Sequence, residues 1–584
     1  MSAQEIIRVG NCSGFYGDRL SAMREMLEGG SLDYLTGDYL AELTMLILGK
    51  DTFKDPNLGY ARTFVKQVED CLGLALERGV KIVSNAGGLN PAALAARLRE
   101  VATGLGLDAT IAHVEGDDLR GKVSFPSEYG DPLTANAYLG GFGIAAALAG
   151  GADVVVTGRV TDASVVVGPA IHAFDWTPTS YDELAGAVVA GHVIECGTQA
   201  TGGNFSGFLT LPDRERLLGF PIAEIAADGS SVITKNGDTG GAVMVDTVTA
   251  QLVYEIQTTH YLNPDVTVDL SSISLAQQGD DRVAITGVRG SEPPPKLKVC
   301  LNYLGGFRNG AEFVITGLDA EAKIDWIKQQ IGDALAANPP ARLEWSQTVL
   351  PPVDAPTEEA GSVLLRVSAF DPKPDPVGKG LTAPIIELAL GSYPGFAVTR
   401  PPAPGTPYGV YRPEYVDRSL VEHTVVHADG RREVVADPPV AACNAGLSPH
   451  YSGSEGCNAA ITPRYMGAGA TTRAPLGTFV HARSGDKGGD ANIGLWVRND
   501  EEKRPERVDW LLAEITPEWI RELMPEAADL DVEVYPLPNL GGVNVLVRGV
   551  LGAGVAATSR FDPQAKALGE WLRSRIVDIP EELL

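Results

Sequence analysis

The stretch Ile6–Arg19, IIRVGNCSGFYGDR, sets a short apolar strand against a glycine-rich polar turn, and a helix follows over Leu20–Glu28. In α/β sheets a ligand sits where such a turn leaves the carboxyl end of its strand. The glycine spacing is not GxGxxG, so no dinucleotide fingerprint is read. Asp18-Arg19 is open to two readings, a ligand-binding pair or a charge pair at a helix start.

The same pattern repeats along the first third of the chain. Leu32–Leu35 leads to Gly37-Asp38 and a helix holding Glu42. Val80–Ser84 leads to Asn85-Ala86-Gly87-Gly88, and Asn90-Pro91 opens the next helix, where proline suits the first position. Ala109–Val114 reads as a strand and Gly141–Leu148 as a small-residue helix; Ala152–Thr157 is a strand ending in Gly158-Arg159 and Thr161-Asp162-Ala163-Ser164. Strand, polar turn and helix in alternation argue a mostly parallel sheet covered on both faces. The turns project to one sheet edge, where Asp18, Arg19, Asn85, Asn90, Arg159 and Asp162 are expected to meet.

Ala187–Ser206, AVVAGHVIECGTQATGGNFS, concentrates reactive side chains at the end of an apolar run. His192, Glu195 and Cys196 fall within about one helical turn of each other. Gln199, Thr201, Gly202, Gly203 and Asn204 follow, and free N–H groups in such a turn can form an anion nest. Against this stands the plainer reading, in which the cysteine packs and Gly-Gly merely turns the chain.

Beyond this point apolar and polar residues alternate over Asp246–Glu255 and Val266–Leu270, as in half-buried antiparallel strands. Val283–Val288 and Leu297–Asn302 extend that meander, Ala320–Ala337 reads as a helix and Gly361–Ala369 as a strand. Asp371–Tyr411 is dense in proline and glycine and reads as irregular connection. The divisions expected are a large domain over residues 1–450, a linker over 451–475 and a small domain over 476–584. In the small domain a strand at Thr478–His481 runs into a charged loop, RSGDKGGDAN. A helix over Val508–Leu523, strands at Val532–Leu537 and Val543–Leu551 and a helix over Pro563–Arg575 follow. That order suits an α+β ferredoxin-like sandwich. Arg483, Asp486, Lys487 and Asn492 in the loop are expected to face the large domain or a neighbouring subunit; the alternative is a solvated turn.

At 584 residues the chain calls for more than one domain. Its net charge of −28 excludes nucleic acid and anionic membrane as partners, since both need a basic face. No run has the apolar length of a membrane span. The six cysteines lack metal or CxxC spacing and read as reduced thiols, and no secretion signal is read at the start, so a cytoplasmic protein is expected. No Walker loop or HExxH signals a cofactor or metal. The irregular proline-rich belt and the small appended domain leave surface to cover, so a homo-oligomer is expected.

Longer motifs carry a family resemblance. GNCSGFYGDR, LDYLTGDYLAELTM, IVSNAGGLNP, VVVTGRVTDASVVVGP, GHVIECGTQATGGNF, QLVYEI, PDVTVD and YPGF resemble the acyclic terpene utilisation AtuA family. HARSGDKGGDANIG and DPQAKALGEWL resemble its smaller carboxyl-terminal domain. The resemblance implies a catabolic protein that acts on branched, isoprenoid-derived acids as CoA thioesters, with CoA entering as part of the substrate. Two functions compete on this basis. One is an enzyme, a lyase or hydratase, with Glu195, His192 or Asp162 as acid or base. The Gly202-Gly203 amides would then form an oxyanion site, or Cys196 would serve as an acyl-transfer nucleophile. The other is a non-catalytic protein that binds a CoA-linked intermediate or assembles partner enzymes.

Overall fold

The computed structural model describes residues 5–440, 469–499 and 502–584. The strands β1 (Ile6–Asn11), β2 (Tyr34–Gly37), β3 (Lys81–Ser84), β4 (Ile111–Glu115), β5 (Thr134–Ala137) and β6 (Val154–Thr157) alternate with helices. These are α1 (Ala22–Gly29), α2 (Glu42–Lys54), α3 (Arg62–Arg78), α4 (Pro91–Leu105), α5 (Phe142–Ala149), α6 (Ser164–Phe174) and α7 (Tyr181–Glu195). β1, β2, β3, β6 and β4 lie side by side in that order, all parallel. Antiparallel strands extend both edges to eleven: β7 (Pro221–Ala226), β8 (Ser231–Lys235), Arg282–Thr286 and Ser274–Gly279 beyond β1, and Thr424–Val426 and Arg432–Val434 beyond β4.

Strand periodicity explains the layering. Successive side chains point to opposite faces, so Tyr34, Val83 and Val155 enter one core with α5, α6 and α7. Their neighbours Leu35, Ile82, Val154 and Val156 enter the other core with α1, α3 and α4. Strands buried on both faces read as continuous apolar runs, which is why VVV of β6 was legible. Helix α7 is buried without interruption from Leu184 to Glu195, as expected of a helix apolar all round.

Four sequence expectations are corrected. Residues 246–255 are not a strand: α8 (Val245–Leu252) forms there, because Val245, Val248 and Leu252 also satisfy helical spacing and the Thr247 hydroxyl accepts the Met244 N–H at 3.0 Å. The proline-rich belt is ordered: it holds a helix at Lys379–Glu387 and a strand at Thr406–Asp417. That strand pairs with the 21-residue strand Lys296–Thr316, which also takes β5 and Ser362–Asp371 as partners. Pro407 and Pro413 are tolerated there because no second strand pairs with Thr406–Asp417 among the described residues. The charged loop is two paired strands, Val480–Lys487 and Asp490–Val497, closed by a tight turn in which Gly488 takes φ 70°. Finally, the helix over Val508–Leu523 is broken into Arg504–Glu514 and Pro517–Leu523 by Pro517, with the Thr516 hydroxyl capping the second piece.

The small domain is a four-stranded antiparallel sheet, Val480–Lys487, Asp490–Val497, Gly542–Val547 and Val532–Leu537, covered by helices over its own core. The expected linker lies outside the described residues as far as 468, and Thr471–Pro475 pairs with Ile576–Pro580. The other sheet face meets the large domain. Trp496 is fully buried within the large domain's core, and its indole N–H donates to Asp246 at 2.9 Å.

Candidate functional site

The carboxyl ends of the parallel strands deliver polar side chains to one place. At the end of β1, Asn11 donates to the carbonyls of Ile194 and Glu195 at 2.7 and 2.9 Å, which anchors the last turn of α7. At the end of β2, the Asp38 carboxyl accepts the Leu40 N–H at 3.0 Å and the Asn85 amide at 2.6 Å; Asn85 stands at the end of β3. At the end of β6, Arg159 is only 2% exposed. Its guanidinium donates to the Leu40 carbonyl at 2.9 Å, lies 2.8 Å from Asp162 and sits 4.3 Å over the Tyr138 ring. Asp117, beyond β4, accepts the Arg159 backbone N–H at 2.8 Å. Gly158 is required beside it, because a Cβ there would lie 2.3 Å from the Asp117 carboxyl.

Around this centre, His192 Nδ1 lies 3.2 Å from Glu195 Oε1, one turn apart on α7. Glu42, the first residue of α2, accepts the Tyr138 hydroxyl at 3.0 Å and lies 3.7 Å from the Lys298 ammonium. The Glu195 Oε2 and Tyr411 hydroxyl atoms are buried without a hydrogen-bond partner among the described residues. Buried polar atoms of that kind are uncommon and call for an explanation.

Six carboxyl groups, Asp38, Glu42, Asp162, Glu195, Glu255 and Asp486, share this region with three cations, Arg159, Lys298 and Lys487. Their surroundings pull five of these carboxyls in opposite directions. Burial, then Asp162 and Glu255, push Glu195 well above the ordinary carboxyl range. Burial and Asp162 do the same to Asp38, and burial raises Asp162 against the pull of Arg159. Asp486 is pushed up to about 8 by burial, Glu255 and Glu42. Glu42 goes the other way: burial opposes its charge, but Lys298 and Arg159 hold it at about 2. Burial and the Lys487 ammonium press His192 down to about 4, so its ring is neutral near pH 7.

The residues expected from sequence divide in the same way. Asp162, Glu195, His192, Arg159 and Asn85 meet at the cluster. Asp486 and Lys487 reach it from the small domain, while Arg483 bonds Gln199 and lies 4.0 Å over the Tyr254 ring. Asn492 accepts the Glu255 backbone N–H at 2.9 Å.

Others are committed elsewhere. Arg19 pairs with Glu25 at 2.7 Å and bonds the Leu218 carbonyl; Asp18 closes its own turn by accepting the N–H groups of Gly14 and Arg19. Asn90 caps α4. The Thr201 hydroxyl is bonded to the carbonyls of Thr198 and Gly219, and Asn204 lies at the surface. Gly202 and Gly203 cannot form an oxyanion site, because their N–H groups already donate to Gln199 and Thr198 carbonyls at 3.2 and 2.9 Å. Nor does Cys196 suit a nucleophile. A reactive thiol needs a lowered pKa, whereas burial, Glu195 and Glu255 push this one well up, and it caps the negative end of α7.

The sequence does not single out Asp38, Glu42, Glu255, Tyr138, Lys298 or Tyr411 as site residues. Asp38 follows a strand and a glycine as Arg159 does, so that pattern could have found it. Among the described residues no group of three or more His, Cys, Asp or Glu is arranged to hold a metal, and no helix is long and apolar enough to cross a membrane.

These shifts give the fold a pH window. An acid whose pKa is raised on folding contributes stability that is complete below its unfolded value and is lost as pH climbs through the folded one. Burial puts Asp117 at about 7 and Asp265 at about 6. Stability should therefore fall from about pH 4, the unfolded carboxyl value, to just above pH 7, and the last part of that fall lies between pH 6 and 8. Asp117→Asn should remove about 1 kcal/mol of that fall, measured as the change in urea midpoint between the two pH values. An undiminished slope in the variant would contradict the assignment. On the acid side the buried neutral histidines, His192 and His423 at about 4 and His481 at about 3, lose their contribution as pH drops below about 6.5.

A family model described as acyclic terpene utilisation family protein AtuA matches residues 7–427, and one described as the AtuA ferredoxin-like domain matches residues 474–578. No curated protein and no solved structure matches the chain.

Proposed function

Because the chain belongs to the acyclic terpene utilisation AtuA family and carries the family's ferredoxin-like domain, we propose that it is a catabolic enzyme acting on branched, isoprenoid-derived acyl-CoA thioesters. The reaction class is a lyase or hydratase step. The observation that carries this reading is the split within one largely enclosed carboxyl cluster: Lys298 and Arg159 pull Glu42 down to about 2, while burial pushes Glu195, Asp38 and Asp162 upward. Titratable groups whose environments drive their pKa values apart supply acid and base at one pH.

Either reaction needs those parts. A hydratase takes a proton from water and gives one to the α-carbon; a lyase takes one from a 3-hydroxyl and releases an enolate. In this reading Glu42 accepts the proton, Glu195 donates one, and Arg159 faces the negative charge that develops on the thioester oxygen. The test is incubation of the purified chain with branched 3-hydroxyacyl-CoA and enoyl-CoA thioesters, read by mass spectrometry. New thioester products are expected. Tight binding with no product from either class would favour the non-catalytic role.

A further inference from the structure

Glu255 stands out on backbone grounds. It is one of few non-glycine residues with positive φ, at 55°, a conformation that persists only where the surroundings impose it. What imposes it is the small domain. Asn492 accepts the Glu255 N–H at 2.9 Å and donates to the Val253 carbonyl at 2.7 Å. Asn544, on the adjacent strand and bonded to Asn492 at 3.0 Å, donates to the Gln257 carbonyl at 2.9 Å. Two small-domain asparagines thus grip the main chain on both sides of one carboxyl residue.

The fit is close along the whole hairpin. A Cβ on Gly485 would lie 2.4 Å from the Tyr254 ring, one on Gly488 2.7 Å from the Tyr411 ring, and one on Gly494 2.2 Å from Val253. Lys487 sits beside Gly488 in the turn and acts electrostatically on Glu195, His192 and Glu42. Glu255 in turn acts on Asp162, Glu195 and Cys196.

We infer that the small domain is the completing half of this site: it positions Glu255 through Asn492 and contributes the Lys487 ammonium, so the carboxyl cluster takes its working arrangement only while the two domains are docked. This rests on the reading of the cluster as the catalytic centre, and two readouts separate them.

The first needs no substrate. Cys196 is alkylated with iodoacetamide in the full chain at pH 8.5 and followed by peptide mass spectrometry. Glu255→Gln removes a carboxyl that holds the thiol protonated, and Asn492→Ala releases it, so both should react at least threefold faster than wild type. Wild-type rates in both would overturn the inference whether or not any thioester is turned over. The second uses a thioester that the wild type converts. Lys487→Met should lower kcat at least tenfold with an unchanged melting temperature, and Lys487→Arg should restore most of it. Full activity in Lys487→Met would overturn the contribution of that cation, while absence of turnover in the wild type strikes the functional reading alone. Should Asn492→Ala fail to fold, Glu255→Gln alone decides the first readout.

Discussion

Glu195→Gln is expected to lower kcat in the proposed acyl-CoA reaction by roughly two to four orders of magnitude, the range typical of a lost general acid, and to leave the melting temperature close to wild type. The amide keeps the shape of the carboxyl and its hydrogen-bonding capacity but has no proton to give. Glu195 is 4% exposed and its Oε2 has no hydrogen-bond partner among the described residues, so the substitution breaks no hydrogen bond at that oxygen. Removing a buried acid crowded by Asp162 and Glu255 also relieves its neighbours. Stability at pH 8 is therefore expected to hold or rise slightly as activity is lost. A variant that stays active within threefold would remove Glu195 from the chemistry; one that fails to fold would mean the residue is structural.

Arg159→Met has the opposite profile. The guanidinium is fully inside, paired with Asp162 at 2.8 Å and bonded to the Leu40 carbonyl. Deleting one partner of a buried ion pair leaves the other charge uncompensated and costs about 3–5 kcal/mol. Arg159 also helps hold Glu42 ionised, so its loss should deepen as pH rises and more carboxyls must carry charge. Urea denaturation at pH 6 and 8 measures both effects. A loss below about 1 kcal/mol at either pH would mean the pair behaves like an exposed one.

How far the sequence revealed this arrangement follows from what each signal encodes. The parallel sheet was legible because burial on both faces forces apolar runs such as Val154-Val155-Val156, and because each run stops at a polar turn. The same logic placed Asn85, Arg159 and Asp162 at one sheet edge. It failed for Arg19 and Asn90, which occupy equivalent turns but spend their side chains on Glu25, the Leu218 carbonyl and a helix cap. Residue type and position were right there; the hydrogen-bond partners, far away in sequence, were not readable. Lys298, Tyr411 and Glu255 were missed for a related reason. Lys298 and Tyr411 come from a second sheet, and Glu255 from a segment whose apolar alternation resembles a strand although it ends a helix. The hairpin at residues 480–497 reads as a loop from its mixed charge, whereas its Gly488-Gly489 turn is what marks the reversal between two strands.

Trp496 carries a kinetic consequence. It belongs to the small domain, yet its indole is fully buried in the large domain's core, with His481 of its own domain against it. Any motion that lifts the small domain away returns that ring to water, at a cost of about 2–3 kcal/mol for the side chain alone. With the Asn492 and Asn544 hydrogen bonds to the large domain lost as well, the parted form is held at or below roughly one molecule in a hundred. A ligand that must enter between the domains would meet a receptive molecule only rarely, so its association would be slow and its encounter rate would saturate at the frequency of opening. In exchange, a captured intermediate would be held away from solvent for as long as the indole stays home.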